Sequence, residues 1–336
     1  MNLNIKINPT SEIPKYQQIV GEIKKLVRRK ILRKGDILPP INEMYKTLGV
    51  GRVTVVSAYN ELKKTGVIES AHGKGFYIKN GKAAGTIPVL LLFDVMNSYK
   101  EVLYKSIVTS LGPRYFVDIF FHYYNYKEFS RILTHINEDY QHIIVLPHFN
   151  FDVSPLLKKI SKEKLLILDK DVENLNDGYA AIYQNFFKIT FESLLSAKEL
   201  ILKYNKINFV FQEYFQFTPT GIIDGFKKFG EKCQISTNII ANLTEKDIGI
   251  NQVYFVLADI DLITVLKYVK KHKLKLGKDI GLISFDDTPL KTVLEDGITT
   301  ISTDFEYMGK MAAKMIREKL YYKVENPSGI IIRNSL

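Results

Sequence analysis

Apolar residues at helical intervals dominate the first quarter of the chain. Tyr16, Ile19, Val20, Ile23 and Val27 form one stripe behind Pro14, a residue suited to a helix start, and Gly35 marks a stop. Asp36-Ile37-Leu38-Pro39-Pro40 then makes a rigid approach to a second, short helix over 40–46. A turn at Gly49 leads into a third segment in which Val55, Ala58, Tyr59 and Leu62 recur at helical spacing, leaving Arg52, Thr54 and Asn60 for another face. Past Gly66 the period changes to that of strands, with 67–70 and 76–79 flanking Ala71-His72-Gly73-Lys74-Gly75. Two short helices joined through a glycine have the form of a helix-turn-helix, the later one a recognition helix and the hairpin a wing. Plain core packing is written with the same spacing.

A polar, glycine-rich run over 79–86 separates this pattern from a different one. Strand-like segments at 88–94, 115–121, 142–147 and 165–169 alternate with helical stretches at 99–111, 127–138 and 154–161. A second round opens near Phe186 with a helix to about 204. Strands at 207–211, 234–240, 253–258 and 280–285 follow, with helices at 219–229 and 260–272 between them. Continuous apolar strands such as Val89-Leu90-Leu91-Leu92-Phe93 belong to sheets covered on both faces, so the alternation predicts a doubly wound, parallel α/β architecture.

Charge sharpens the division. Of the net +11, residues 1–81 hold 15 Lys/Arg against 6 Asp/Glu, or +9, and the other 255 residues only +2. A polyanion is therefore expected for the first part alone, although a basic helix face can equally be a solvated surface. Cys233 is the single cysteine, which excludes a disulfide framework and a cysteine metal site. The six histidines show no i,i+4 pair, so no metal and no cofactor is expected. No apolar run approaches the roughly 20 residues that span a bilayer, and the first residues lack the apolar core of a signal peptide, which predicts a cytoplasmic protein without a membrane partner.

Neither GxGxxG nor a P-loop follows any strand. At strand carboxyl ends, where α/β sheets bind ligands, stand Asp94 with nearby Asn97, then Asp169, Asp259 and Asp286. Carboxylates around a cleft, with Phe93, Tyr99 and Phe215 close in sequence, suit a polyhydroxylated ligand whose paired hydroxyls they accept and whose apolar face a ring covers. An Asp after a strand is as often a helix N-cap, and Asp287 reads as cap or turn.

The first 80 residues resemble the winged helix-turn-helix of the GntR family of bacterial regulators. The likeness rests on Pro14-x-Tyr16-x-Gln18-Ile19, Gly35-Asp36-x-Leu38-Pro39, Leu48-Gly49-Val50-x-Arg52-x-Thr54-Val55, Gly66 and Gly73-Lys74-Gly75. It implies that Arg52 and Thr54 contact the major groove of a double-stranded DNA operator, with His72, Gly73 and Lys74 at the minor groove. His72 can equally be a turn residue and Lys74 a nonspecific phosphate anchor. Asn42 stands where the family often has an arginine, and can still read adenine; Gly51 and Val56 replace a common serine and a second arginine, and valine donates no hydrogen bond.

Residues 88–333 resemble the effector domain of LacI-type regulators, which shares its fold with periplasmic sugar-binding proteins. Here the likeness is carried by Gly225-Phe226, Ala258-Asp259, Asp279-Ile280-Gly281-Leu282-Ile283-Ser284-Phe285-Asp286-Asp287, Ile298-Thr299-Thr300-Ile301 and Met308-Gly309 with Ala312-Ala313. By it, Asp169, Asp259 and Asp286 would bind ligand hydroxyls, with Asp94 to Asn97 closing the site. Ile222 occupies a position where these regulators often carry an arginine, which disfavours a carboxylate-bearing ligand.

The expected fold is thus an N-terminal winged helix-turn-helix over 1–80, a linker over 81–87, and a two-lobed, parallel-sheet α/β domain over 88–336. The expected function is a transcriptional repressor without catalytic residues, acting as a homodimer on its operator and released by a monosaccharide effector. The alternative is a sugar-processing enzyme carrying a DNA-binding module. An aminotransferase-like domain does not fit the roughly 250 residues after the linker.

Overall fold

Gly49 sets the geometry of the first part of the chain. Its backbone lies at φ +62°, in the left-handed region that glycine enters without steric cost, and it caps the second helix while turning the chain into the third. The computed structural model describes residues 3, 5, 7, 8, 13–28, 31–71, 75–79, 87–135, 140–175, 178–211, 217 and 219–336. Internal contacts divide it into two compact units, Met1–Val89 with Pro113–Phe116 and Asp139–Gln141, and the rest.

In the first unit, α1 (Lys15–Arg28), α2 (Ile41–Leu48) and α3 (Arg52–Lys64) precede an antiparallel hairpin of β1 (Ile68–Ala71) and β2 (Gly75–Ile78), in which Ile68 pairs with Ile78. The helical stripes expected from the sequence form its core: Ile19, Ile23 and Val27 of α1 pack with Val55, Ala58, Tyr59 and Leu62 of α3. Tyr59 fixes the recognition helix twice, donating its hydroxyl to Pro39 O at 2.7 Å and meeting Phe76 of β2 edge-on at 4.9 Å. Gly35 lies in a turn, at φ +92°, whose N–H binds Ile78 O.

The two-sheet part of the chain opens with β3 (Ile87–Phe93), which starts on the last residue of the expected linker, followed by α4 (Ser98–Leu111), β4 (Tyr115–Phe121), α5 (Tyr126–His135), β5 (His142–Val145), α6 (Ser154–Leu157), β6 (Leu165–Asp169) and β7 (Ala180–Tyr183). Next come α7 (Phe186–Ser196), α8 (Lys198–Ile201), β8 (Lys206–Val210), α9 (Thr220–Cys233), β9 (Ser236–Ile240), β10 (Gln252–Val256), α10 (Asp259–Lys271), β11 (Ile280–Phe285), α11 (Pro289–Val293), β12 (Thr299–Thr303), α12 (Phe305–Glu318), β13 (Lys323–Glu325) and β14 (Ser328–Ile331). Two six-stranded sheets result, ordered β13-β7-β6-β5-β3-β4 and β14-β12-β11-β10-β8-β9. Neighbours from β5 to β13 and from β9 to β12 are parallel, while β14 joins β12 antiparallel.

The chain passes between the two lobes after β7, after β12 and after β13. Asn326 ties two of these crossings together, its Nδ2 donating to Thr303 Oγ1 at 2.6 Å and to Asp304 O at 2.9 Å. Two helical expectations change. The stretch expected as one helix from 186 to 204 breaks at Ala197 into α7 and α8, and that at 154–161 shortens to one turn. Strands β7, β13 and β14 are too short, at three or four residues each, to register as a sequence period. No helix among the described residues is long and apolar enough to cross a membrane.

Candidate functional site

Of the residues expected to meet DNA, Asn42, Gly51 and Arg52 share one exposed corner. Gly51 caps α3 at φ −66°, Arg52 is its first helical residue, and Arg52 Nε donates to Asn42 Oδ1 at 3.4 Å. Thr54 follows, half-buried, with its N–H on Gly51 O. Val53 projects beside them at 77% exposure, an apolar side chain at the tip of the helix that the sequence reading passed over. His72, Gly73 and Lys74 lie outside the described residues.

The five residues expected to bind an effector line one cavity of about 350 Å³ between the two lobes. Their surroundings differ sharply. Asp94, just past β3, is buried and ion-paired with Lys100 of α4, and its Oδ2 lies 2.9 Å from His148 Nδ1. The opposite ring nitrogen, Nε2, lies 2.8 Å from Asp169 Oδ2 at the end of β6. Asp169 Oδ1 accepts from Gln184 Nε2, and the Tyr124 hydroxyl bonds to Asp94. Burial is the largest influence on both charged groups and opposes them. It is outweighed at Asp94 by the hydrogen bond and charge of His148 and the charge of Lys100, which hold its carboxyl well below the usual range. At His148, burial is outweighed by hydrogen bonds to Asp169 and Asp94, so the ring is pushed above its ordinary value. An imidazolium thus bridges two carboxylates under the floor of the cleft. Phe217 stacks on that ring at 4.6 Å and 9°.

The facing lobe supplies Asp259 and Asp286. Asp259, the first residue of α10, is exposed at the lip and pairs with Lys291 Nζ at 3.3 Å. Lys291 is buried, and also donates to Phe285 O at 2.8 Å and to Asp286 O at 3.0 Å. It thereby fixes the turn in which Asp286 sits at φ +62°. Burial pushes the half-buried Asp286 carboxyl up to about 7; Lys291 and Lys100 oppose the rise, and Asp169 and Asp259 add to it.

Asn97 is an N-cap, accepting from Lys100 N at 3.2 Å. Asp287 is neither cap nor turn: it forms a bidentate pair with Arg333, both contacts 2.8 Å, and accepts from Thr300 Oγ1. Of the expected rings, Tyr99 lines the cavity, stacked on Phe305 at 4.4 Å, whereas Phe93 is in the strand core and Phe215 lies outside the described residues. Ile222 lines the cavity too. Sequence reasoning missed His148, Lys100, Gln184 and Lys291. His148 was within reach, since it follows a strand's carboxyl end by three residues; a lysine buried on a helix gives no such signal. A wider groove of about 950 Å³ adjoins the cavity, sharing Gln184, Phe186, Phe217 and Pro219 with it. Among the described residues there is no cluster of three or more metal-ligating side chains.

Residues 15–78 match the family model of bacterial regulatory proteins, gntR family, and residues 202–336 that of the periplasmic binding protein-like domain. The HTH-type transcriptional repressor YtrA of Bacillus subtilis is 35% identical over 105 residues, 31% of this chain and 76% of that protein. The mannosyl-D-glycerate transport/metabolism system repressor MngR of Escherichia coli is 35% identical over 89 residues, 26% of this chain but only 37% of that protein. Among solved structures, a LacI family transcriptional regulator from Lactobacillus casei with bound glucose aligns with a TM-score of 0.59 at 15% identity, over 74% of this chain and 100% of that one. The trehalose repressor from Escherichia coli aligns with a TM-score of 0.61 at 12% identity, over 74% and 100%. At such identities these two structures speak for the fold.

Proposed function

Since this chain belongs to the gntR family of bacterial regulatory proteins and is a transcription regulator, we propose that it represses its genes as a homodimer and is released by a small hydroxylated effector, a sugar, bound between the lobes of its second unit. The observation that carries this reading is the cavity of about 350 Å³ at the carboxyl ends of both parallel sheets, a volume suited to one sugar ring. Acceptors and rings line it together: Asp286, Gln184, Tyr99 and Phe217. The adjoining groove leaves room for a second ring.

The glucose bound in one structural neighbour, and the naming of another as a trehalose repressor, support the class of ligand. At the DNA, Arg52 and Asn42 offer a donor fork and an amide to base edges, and Val53 an apolar surface to a thymine methyl. The two lobes are joined by three strands of chain, so a ligand that touches both favours the closed arrangement and shifts the population of DNA-binding geometries. A two-fold operator requires two copies of the recognition helix, hence the dimer.

Thermal-shift screening against pentoses, hexoses and disaccharides, followed by fluorescence anisotropy on an operator recovered by in vitro selection, tests this. A stabilising sugar that also weakens operator binding, and is recovered unchanged, supports the regulator. A sugar that is consumed makes the protein an enzyme, and silence from the whole panel removes the sugar.

A further inference from the structure

Among the described residues four carboxylates line the cleft, and the protein neutralises three of them. Asp94 pairs with Lys100 and His148, Asp169 with His148 and Gln184, and Asp259 with Lys291. The fourth, Asp286, makes neither hydrogen bond nor ion pair through its carboxylate with any described residue. Its backbone alone is engaged, N–H to Ile301 O at 2.9 Å and C=O to Lys291. No arginine is among the described residues that line the cavity, and both lining lysines are spent: Lys100 on Asp94, and Lys291 on Asp259 and two carbonyls.

A second observation points the same way. Gln184 is 94% buried and lines the same cavity; its amide nitrogen is committed to Asp169, and its Oε1 has no donor. A buried acceptor left unsatisfied is destabilising, and a ligand donor can satisfy it. The wall is therefore short of donors and, at Asp286, short of a positive charge.

Resting on the sugar-binding reading above, we propose that the effector is an amino sugar, whose protonated primary amine pairs with the Asp286 carboxylate. An ammonium group brings three donors and one charge to a wall that lacks both, whereas a neutral hydroxyl brings one donor and no charge. The groups facing Asp286 are Lys291 of α11, Lys100 and Tyr99 of α4, Asp169 after β6 and Asp259 of α10. Burial above all, with Asp169 and Asp259 of like sign, makes Asp286 resist ionising in the empty cleft, and a cationic ligand opposes that resistance.

The two ways of using Asp286 have opposite pH dependence. A cation needs the carboxylate, so its affinity rises as Asp286 ionises; a neutral sugar held by the protonated carboxyl loses affinity over the same range. Isothermal titration of the full chain with D-glucosamine, D-galactosamine and D-mannosamine, and with glucose, galactose and mannose, separates them between about pH 5.5 and about pH 7. The expected result is one amine bound at least about tenfold tighter than its parent sugar, with affinity rising about tenfold across the range. In Asp286→Asn, checked for folding by circular dichroism, that preference falls to parity. A parent sugar that binds as tightly as its amine, with affinity falling as pH rises, overturns the proposal and leaves the sugar-binding reading standing. Silence from all six sugars overturns the amino-sugar proposal and leaves the sugar-binding reading to the wider panel of pentoses and disaccharides.

Discussion

The imidazole Nε2 of His148 lies 2.8 Å from Asp169 Oδ2, and this contact ties the loop after β5 to the end of β6 directly beneath the cleft. Because the other ring nitrogen holds Asp94, removal of the ring leaves two buried carboxylates facing one another with Lys100 as their main counterion. His148→Ala is therefore expected to destabilise the second unit by about 3–5 kcal/mol, read as a shift of its urea midpoint. Since the folded ring titrates above its ordinary value, the stabilisation it gives is complete below about pH 6.5 and is lost as pH rises through the folded value. The variant should lie furthest below the parent at mildly acid pH.

Asp286 shares this direction with pH, but as a penalty on ionising rather than a gain that is lost. Its carboxyl, pushed up to about 7, holds a proton in the folded state that the unfolded chain has already released, so stability falls as pH rises from about 4 through 7. Asp286→Asn removes that penalty. Without ligand, it should melt above the parent at about pH 8, by the equivalent of about 1–3 kcal/mol, and close to it at about pH 4, in thermal melts across the range.

His122 sets an acid limit. It is fully buried, with Nε2 donating to Leu146 O at 3.2 Å and Nδ1 accepting from Tyr124 N at 3.2 Å, so the neutral tautomer satisfies both neighbours. Burial pushes its pKa down to about 4. The unfolded chain takes up this proton first, and stability is lost as pH falls from about 6.5 through 4. His122→Asn should flatten that limb of a pH-dependent unfolding series, at the cost of lower stability at neutral pH.

Gly225 allows α9 to lie against α7. A Cβ there would stand 2.6 Å from Phe187 O and 3.0 Å from Thr190 Cβ, and a backbone oxygen held in a helix has little room to move. Gly225→Ala is expected to cost about 1–3 kcal/mol by overpacking, measured by denaturant unfolding, despite the better helix propensity of alanine.

At the DNA, Arg52→Ala should weaken operator binding by about 1–3 kcal/mol and relax sequence preference where the guanidinium reads a base. If Arg52 instead holds a phosphate, the loss is uniform across sequences and the slope of log affinity against log salt drops by about one. Competition titrations at two salt concentrations distinguish the two.

The local pattern of the sequence already contained the winged helix-turn-helix. The stripe Ile19, Ile23, Val27 and its partner Val55, Ala58, Tyr59, Leu62 are spaced by the helical repeat itself, and Gly49 is needed for a left-handed turn, so both are written in short stretches of chain. Strands such as 165–169 and 280–285, apolar throughout, were legible for the same reason, and strand ends bearing carboxylates pointed to the cleft. Tertiary structure alone decided how those carboxylates are used. Residues 94, 100, 148, 169 and 184 come together from five segments of one lobe, and the pairing that leaves Asp286 without a counterion depends on distances between segments far apart in the chain that no periodicity encodes. Secondary structure follows from the next few residues along the chain, but the charge state of a buried group follows from what burial brings against it.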